Sequence, residues 1–526
     1  MAYIAPNTDI QFFPDIGLSP RQENTFYFAS TAAKDTYFDS LQRLGAAQSC
    51  SYARGSRGAV RVQIPIAQIY GAGYMRYRNA SFESKWFYAF VTDVEYVNNE
   101  TTEISFIPDY IMTWMGGYTL GQCMVEREHT LSDNIGEHLI DEGLSVGDYV
   151  INRMDTITPY SPRLVISSTI QEISEDDDIV TTSESYGIRY RGYMLSGLCY
   201  HSFDISTAAG VEAAITLLEL LIKNSKKDSI VSLRIVPAYC VPERITDGAT
   251  TGLSVNAGGT YGAAAITQLD GYTPANNKMF SYPYISYEVI NGEGGANEYR
   301  PELFANALQP SFMYRGVSFD NCECVLIPTG YRRSGLSQVY DEMIYMRSFP
   351  QASYQVSQYE AYIAQLTSGG GWLNVAKGLL TNLGTAAQGN YTGAAAGILG
   401  QAFDLLHDIV KYDSLPPAIE GTSNANMMSA LGNKSFIGYY KSIMSERARS
   451  IDRYFTMYGY RVNMVKTPSC NNRPHWTYVK TRGCIVHGSL PAYDAAQIEA
   501  AFDNGIRFWI NPGEIGDFSL NNAPGV

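Results

Sequence analysis

The stretch from Val125 to Tyr149, VEREHTLSDNIGEHLIDEGLSVGDY, combines two histidines with several carboxylates and a G-x-S-x-G pattern. His129 and His138 are nine residues apart, whereas a metalloprotease helix carries its two histidines four residues apart so that both face one ion. The acidic residues also lack the alternating positions and the central glycine of a calcium loop. The spacing therefore favours a structural role, and we predict no metal site.

The G-x-S-x-G pattern spans Gly143 to Gly147. In hydrolases this motif lies on a sharp turn with a strand before the serine and a helix after it. Here the following residues, GDYVINRM, have the pattern of a turn and then a strand. We interpret the match as coincidental and predict no catalytic residue.

The eight cysteines are scattered, and the only close pair is Cys322 with Cys324. A C-x-C pair has the spacing of neither a disulfide framework nor a zinc ribbon. The surrounding NCECVLIP alternates like a strand, which directs both thiols to one face and indicates small core residues. We therefore expect free thiols, synthesis in a reducing cytoplasm and no cofactor.

The composition indicates a folded chain with extensive contacts. The 526 residues are 45% hydrophobic and only 17% charged, with 40 tyrosines, a residue favoured in strands and at interfaces. The net charge of −14 and the lack of a long basic run argue against tight binding of nucleic acid. The N-terminus shows no secretory signal, and the sequence contains no strongly apolar run of 18 residues that would predict a membrane-spanning helix.

Hydrophobic periodicity predicts a mainly β, multi-domain protein with some helices. Residues 85–107 alternate on both sides of Asn98–Asn99 and predict a β-hairpin. Further predicted strands cover residues 59–70, 163–173, 287–290 and 322–328. Predicted helices cover Asp204–Lys227, Ser442–Tyr460 with a stop at Gly459, and Pro491–Gly505.

The segment from Leu366 to Phe403 differs from the rest of the chain. It contains nine glycines, seven alanines and a single charge, Lys377. Each glycine disfavours a helix by about 1 kcal/mol relative to alanine, and an exposed loop rarely carries so many apolar residues. Three interpretations remain open: burial in an assembly, entry into another apolar phase, or a glycine-rich loop of the core.

Five stretches together resemble a known family: TFYFASTAAKDTYF, the run from Tyr74 to Met115, the run from Val125 to Val150, DRYFTMYGYRVNMVKTPSCNNRPHWTYVKTRGC and FDNGIRFWINP. They are similar to the tail knob, or distal tail tube, protein of small short-tailed podoviruses. The resemblance implies tail-tube-like β domains arranged as a ring or tube in a homo-hexamer. It places the protein at the distal end of the virion tail, next to upper tail or collar proteins, with double-stranded genome DNA passing through without specific binding.

The same resemblance implies a domain order and a role for the apolar segment. We expect a β-rich tube domain at 1–150, a middle β-rich domain at 151–365, an apolar insertion at 366–425 and a C-terminal segment at 426–526 that returns to the tube body. The insertion would plug the lumen and then contact host membrane lipids, with a pore as the finer expectation. The residues expected to do so are Trp372, Leu373, Val375, Leu379, Leu380, Leu383, Ile398, Leu399 and Phe403.

The opening stretch becomes a structural family signature on this interpretation, its carboxylates pairing with Arg127, with Arg153 or with a neighbouring protomer. Two other functions remain as alternatives, a receptor-binding adhesin subunit and a tail-associated cell-wall hydrolase, although we expect no enzyme. The signature residues are Glu126, Arg127, Glu128, His129, Asn134, Gly136, His138, Gly143, Gly147, Asp148 and Tyr149.

Overall fold

The computed structural model describes residues 7–51, 58–158, 162–169, 186–190, 193–204, 207–223, 229–238, 241, 243–247, 250–254, 258–291, 294–318, 323–332, 342–346, 351–353 and 435–524. The nine predicted plug residues and Cys322 lie outside the described residues.

Strands dominate the described residues, as the sequence predicts. In chain order they are β1 Thr8–Pro14, β2 Asn24–Phe26, β3 Gly45–Cys50, β4 Gly58–Val62, β5 Ala72–Arg78, β6 Phe87–Asn98, β7 Thr101–Asp109, β8 Tyr118–Leu120, β9 Cys123–Glu128, β10 Tyr149–Thr156, β11 Pro162–Ser168, β12 Tyr186–Tyr190, β13 Tyr193–Asp204, β14 Ile230–Pro237, β15 Glu243–Asp247, β16 Thr250–Ser254, β17 Gly259–Gly262, β18 Ile285–Ile290, β19 Ala296–Tyr299, β20 Ser311–Ser318, β21 Glu323–Pro328, β22 Ile344–Met346, β23 Gln351–Ser353, β24 Ile437–Ile443, β25 Tyr460–Lys466, β26 Trp476–Arg482, β27 Val486–Gly488 and β28 Ile506–Trp509.

Six α-helices accompany these strands in the described residues. They are α1 Thr31–Ser40, α2 Ile66–Ile69, α3 Tyr110–Trp114, α4 Ala208–Lys223, α5 Ser445–Tyr458 and α6 Ala492–Asn504. Short 3-10 turns lie at Ala80–Phe82, Asn277–Phe280, Pro301–Leu303 and Pro512–Glu514. Within this part of the chain, each helix is too short or too polar to cross a membrane.

The chain forms two compact units. The first combines Met1–Asp148, Gly271–Tyr284 and Ile443–Val526, and the second combines Tyr149–Asp270 with Ile285–Ser442. This division differs from the four sequence-based domains, since Gly271–Tyr284 joins residues from both ends of the chain. The four-domain boundaries stay a prediction.

The first unit contains a six-stranded sheet in the order β3-β1-β5-β6-β7-β4. Its outer strands β3 and β4 have Cα atoms within 8 Å of each other, so the sheet curls towards closure. Alternation places one set of side chains inside this curl, where burial of each large apolar residue contributes about 1.5–3 kcal/mol. That interior includes Ile10, Phe12, Val62, Met75, Tyr77, Phe87, Ile104 and Phe106.

A second sheet of the first unit has the order β2-β28-β26-β9-β25. It unites distant parts of the sequence, because β9 pairs antiparallel with both β25 and β26. Val125 and Val479 on this sheet pack with Ile498 and Phe502 of α6. Trp476 and Trp509 pack with Tyr74 and Phe38 from the six-stranded side, which fixes the two sheets together.

The second unit is also built from sheets, with two four-stranded orders, β10-β24-β18-β19 and β17-β20-β21-β22, and one five-stranded order, β12-β13-β11-β14-β23. A two-stranded hairpin of β15 and β16 completes it among the described residues. Part of its core is aromatic: Phe312 packs against Tyr287, Tyr299 and Phe304.

Several local predictions are confirmed and one is wrong in part. The hairpin of β6 and β7 forms, and α5 ends before Gly459. The strand predicted for residues 59–70 ends at Val62, and Ile66–Ile69 is helical. Pro65 explains the error, because proline has no N–H for a strand ladder and its fixed φ suits the start of a helix.

Candidate functional site

The signature stretch leads from β9 into a long irregular segment, residues 129–148, of the first unit. The G-x-S-x-G residues lie inside this segment, with no strand directly before them and no helix directly after them, so they lack the hydrolase geometry. Gly136, Gly143 and Gly147 have φ values of 84°, 66° and 72°. The signature glycines therefore occupy turns that other residues rarely adopt.

A buried carboxylate, Glu142, fastens this segment to the unit. Its side chain is fully buried and forms ion pairs with Arg127 and Lys278. It also accepts a hydrogen bond of 2.9 Å from the backbone N–H of Arg461 in β25. Burial lowers the pKa of Lys278, against the opposing effect of Glu142. The sequence-based pairing of a carboxylate with Arg127 is thus present within the chain, and the partner is Glu142.

Arg127 extends the same cluster to α5. It donates to the carbonyl oxygen of Gly459 at 2.7 Å and lies 4.7 Å above the ring of Tyr454. Arg153, the other arginine suggested by the sequence, pairs instead with Asp155 at 2.8 Å, in the second unit.

Glu126 and Glu128 pair across the sheet with basic residues. Glu126 is 2.7 Å from Arg482 and 3.4 Å from Lys480. Glu128 is buried and pairs with Lys466. Burial raises the pKa of Glu128, and its second carboxylate oxygen has no hydrogen-bond partner among the described residues.

His129 is buried with both ring nitrogens occupied. Its Nδ1 accepts a 2.8 Å hydrogen bond from the backbone N–H of Tyr478, and Nε2 lies 3.1 Å from the carbonyl oxygen of Thr456. Burial, together with the positive charges of Arg473 and Arg507, lowers the pKa of His129 to about 3. A neutral ring with Nε2 as donor fits this environment, so His129 holds β9, β26 and α5 together.

The remaining signature residues are local. His138 Nε2 lies 2.9 Å from the carbonyl oxygen of Ser132, and Asn134 donates to Glu137 at 2.7 Å. Asp148 is exposed, and Tyr149 begins β10 in the second unit. These residues thus lie in β9, in the irregular segment after it and at the start of β10. That they form a structural family signature stays a prediction.

Two buried aspartates hold the segment Gly271–Tyr284 in place, and sequence reasoning identified neither. Asp452 of α5 accepts from Tyr272 Oη at 2.7 Å, from the backbone N–H of Ala275 at 2.8 Å, and from both the backbone N–H and the side-chain amide of Asn276 at 3.1 and 2.8 Å. Each carboxylate oxygen thus receives two hydrogen bonds. The only sequence signal is an aspartate on the apolar face of a predicted helix.

Asp133 makes the second attachment. It accepts from Tyr460 Oη at 2.5 Å and from the backbone N–H of Asn277 at 2.9 Å.

A pocket of about 350 Å³ adjoins these attachments within the first unit. α5 contributes Asp452, Arg453 and Thr456 to its wall, while His129 and Arg473 contribute the buried side. The other walls are Tyr272, Ala275, Asn276 and residues 518–523.

Two buried arginines lie next to this pocket. Arg473 and Arg507 are 4% and 6% exposed, and the structure gives neither an ion pair with a carboxylate among the described residues. In each, the Nε atom has no hydrogen-bond partner in the part of the chain that the structure describes. Burial lowers the pKa of Arg473 and of Arg507. In Arg473 the nearby Tyr460 and Asp133 act in the opposite direction and raise the pKa. The arrangement can attract an anion, because uncompensated buried charge is costly.

The cysteines and the potential metal ligands of the described residues give little support for a reactive or metal-binding site. In the part of the chain that the structure describes, no group of three His, Cys, Asp or Glu residues is placed to hold a metal. Burial raises the pKa of Cys470 and of Cys484 to about 12, which disfavours the reactive thiolate. Cys324 is buried in β21, as the core interpretation of the C-x-C pair predicts.

Comparisons with known proteins point to phage tails. Residues 255–523 match the family described as the C-terminal domain of the tail knob protein gp9 of Bacillus phage phi29, and residues 6–119 match the caudoviral major tail protein N-terminus. The tail knob proteins gp9 of Bacillus phages phi29 and B103 are 22% and 23% identical, each alignment covering 99% of this chain and 100% of the relative. The solved tail knob protein gp12 of bacteriophage C1 covers 98% of this chain, and this chain covers 99% of it, with a TM-score of 0.65 and 15% identity.

Proposed function

The chain belongs to the phage tail knob family represented by the C-terminal domain of phi29 gp9, and on that premise we propose that it forms the distal tail tube that conducts the genome into the host. It is a structural protein of the bacteriophage tail. The observation that carries the proposal is the correspondence with tail knob proteins along 99% of the chain.

A homo-hexameric ring is the assembly that this function needs. Exposed strand edges support self-association, because an unpaired edge readily pairs with another chain. β25 is the outer strand of its sheet, and Met464 and Val465 on it are 58% and 67% exposed. Closed symmetry would cover such edges within the ring. Upper tail or collar proteins would bind one end of it.

The lumen should let DNA slide without specific binding. A net charge of −14 supports this, since each lysine or arginine contact to a phosphate adds salt-dependent affinity. We propose that acidic side chains line the lumen.

The apolar segment Leu366–Phe403 would close the tube before infection and contact host lipids afterwards. Its nine large apolar residues, named above from Trp372 to Phe403, need cover from water, since burial of each is worth about 1.5–3 kcal/mol. Copies meeting on the tube axis would cover one another, and Trp372 suits a membrane interface.

The alternatives receive less support from the geometry. A hydrolase would need an activated nucleophile, whereas the G-x-S-x-G pattern lies in an irregular segment and the buried thiols have raised pKa values. Within the described residues, no contact favours a receptor-binding adhesin over a tube.

Electron microscopy of the purified full chain tests the proposal. We expect hollow sixfold rings that do not retain duplex DNA at physiological salt, and leakage of liposomes after mild heating or acidification. Deleting Gly369–Gly400 should preserve the rings, open their lumens and abolish leakage. A stable monomer at micromolar concentration contradicts the tube, and unchanged closure and leakage in the deletion variant remove the segment from both roles.

A further inference from the structure

We propose that the pocket between α5, the segment Gly271–Tyr284 and residues 518–523 binds a small oxyanion, a phosphate or carboxylate group that carries an apolar substituent. The pocket lies entirely within the first unit. Its volume of about 350 Å³ falls in the range of about 300–1,000 Å³ that is typical of ligand pockets.

The charge around the pocket is positive and incompletely compensated. Arg473 and Arg453 line it, and Arg449 lies 5.4 Å from the ring of Tyr272, another wall residue. Arg473 is buried and forms no ion pair with a carboxylate among the described residues, and Asp133 is the nearby carboxylate that partly offsets its charge. An oxyanion against these guanidinium groups would supply the missing charge through the strong hydrogen bonds that arginine makes to such groups.

The one carboxylate in the wall does not compensate for this charge by direct pairing. Asp452 already accepts hydrogen bonds from Tyr272, Ala275 and Asn276, two on each oxygen. Those bonds anchor the neighbouring segment, and so the carboxylate serves the wall itself.

The apolar substituent in the proposal is suggested by the wall that residues 518–523 form. Phe518 and Leu520 are among its members, and Phe518 lies 4.8 Å from the guanidinium of Arg507. Both side chains are partly buried against the cluster that contains Trp476 and Trp509. An aromatic or aliphatic substituent would bury the part of their surface that lines the pocket, whereas a bare anion would leave it uncovered.

The structure keeps this wall in position. The side-chain amide of Asn522 donates to the carbonyl oxygen of Trp476 at 2.8 Å, and its carbonyl oxygen accepts from the backbone of His475 at 3.2 Å. The backbone oxygen of Asn522 accepts from Arg473 at 3.1 Å. The pocket is therefore built by ordered contacts on more than one side.

Calorimetry on the full chain tests the proposal with three probes: inorganic phosphate, phenyl phosphate and benzoate, each against chloride at matched ionic strength. We expect saturable binding of at least one aromatic anion, tighter than that of inorganic phosphate. Arg453→Gln should weaken it about tenfold, the loss of one charge-assisted hydrogen bond. Arg447→Gln, an exposed arginine of the same helix outside the pocket wall, should leave it unchanged.

Arg473→Gln should abolish binding, and a circular dichroism spectrum checks that this variant folds. If Arg473→Gln unfolds, the contrast between Arg453→Gln and Arg447→Gln decides alone. Absence of saturable binding to the parent chain, or equal losses in those two variants, overturns the proposal. Equal affinity for phosphate and phenyl phosphate overturns the apolar half.

Discussion

Two buried clusters of charge lie in the first unit, and they differ in how their charges are balanced. At Glu142, one carboxylate meets two cations, Arg127 and Lys278, and a backbone N–H. Around Arg473 and Arg507, neither guanidinium group forms an ion pair with a carboxylate in the described part of the chain, although Asp133 and Glu23 partly offset their charges. The nearby His129 is kept neutral. The first cluster forms an internal clasp, whereas the second faces a pocket.

This difference distinguishes buried charges that stabilise the fold from buried charges that could bind a ligand. Charged groups that already form ion pairs and hydrogen bonds with one another stabilise the fold, and they have few free hydrogen-bonding positions for a ligand. Buried cations without such partners keep a desolvation cost that an external anion can offset. Substitutions in the two clusters should therefore have different effects. In the Glu142 cluster we expect a large loss of stability, and in the Arg473 cluster we expect a change in ligand or proton binding.

The largest expected effect is that of Glu142→Ala. The change leaves Arg127 and Lys278 buried without their counterion, and breaking a buried pair in this way costs about 3–5 kcal/mol. Guanidinium unfolding followed by tryptophan fluorescence measures it, since Trp86, Trp114, Trp476 and Trp509 all lie in the first unit.

Glu126→Ala is the matched control. Glu126 pairs with Lys480 and Arg482, whose side chains are 42% and 80% exposed, so its loss should cost about 1 kcal/mol or less. Similar unfolding midpoints for Glu126→Ala and Glu142→Ala would contradict the larger contribution of the buried Glu142 cluster to stability.

A smaller effect is expected from Gly459→Ala, which changes the backbone that Arg127 contacts. Gly459 has φ +64° and ψ −153°, and a Cβ there would lie 2.1 Å from the carbonyl oxygen of Glu128. We expect a loss of about 2–3 kcal/mol, because that region of backbone space is nearly restricted to glycine.

Gly143→Ala provides the comparison in the same unfolding assay. Gly143 has φ +66° but open space around its Cβ position, so only the backbone cost of about 1–2 kcal/mol remains. A loss at Gly143 equal to that at Gly459 would contradict the role of the close approach between α5 and β9.

Local patterns carried much of the fold in advance. The alternation around Asn98–Asn99 predicted the hairpin, and Gly459 predicted the end of α5. The pairing of β9 with β25 and β26 joins residues more than 300 positions apart, and hydrophobic period alone cannot indicate such a register. Only the resemblance suggested that the C-terminal segment returns to the first part of the chain.

The pocket shows the same limit more sharply. Asp452 reads in the sequence as one polar residue of a helix, and Arg473 as one basic residue of a loop. Their roles depend on Tyr272–Asn276 and on residues 518–523, which the fold brings to them. Conversely, His129 and His138 drew attention as a metal pair, yet each nitrogen contact that the structure gives them is to neighbouring protein groups.

The third prediction uses the proton on His129 to probe the second cluster. The pKa of His129 is about 3 in the folded protein, and its ordinary value is 6.5. Below pH 6.5 the imidazole therefore binds a proton in the unfolded chain but stays neutral in the folded chain until the pH approaches 3. The stabilisation is complete above about pH 6.5 and is lost as the pH falls towards 3, by about 2 kcal/mol at pH 5. His129→Gln should flatten this part of the stability profile.

Other carboxylates titrate in the same window, so the measured quantity is the difference in slope between the parent and the variant. His487→Gln, at an exposed position, should leave the slope unchanged. Two charges, Arg473 and Arg507, lower the pKa of His129. The charged residues that line the pocket beside it are Asp452, Arg453 and Arg473. Because the two arginines contribute to the lowered pKa of His129, an anion bound beside them should raise that pKa. The slope of stability against pH should then decrease below about pH 5, as the pH approaches the folded pKa. A slope that is identical in the parent and in His129→Gln would mean that His129 does not carry this titration.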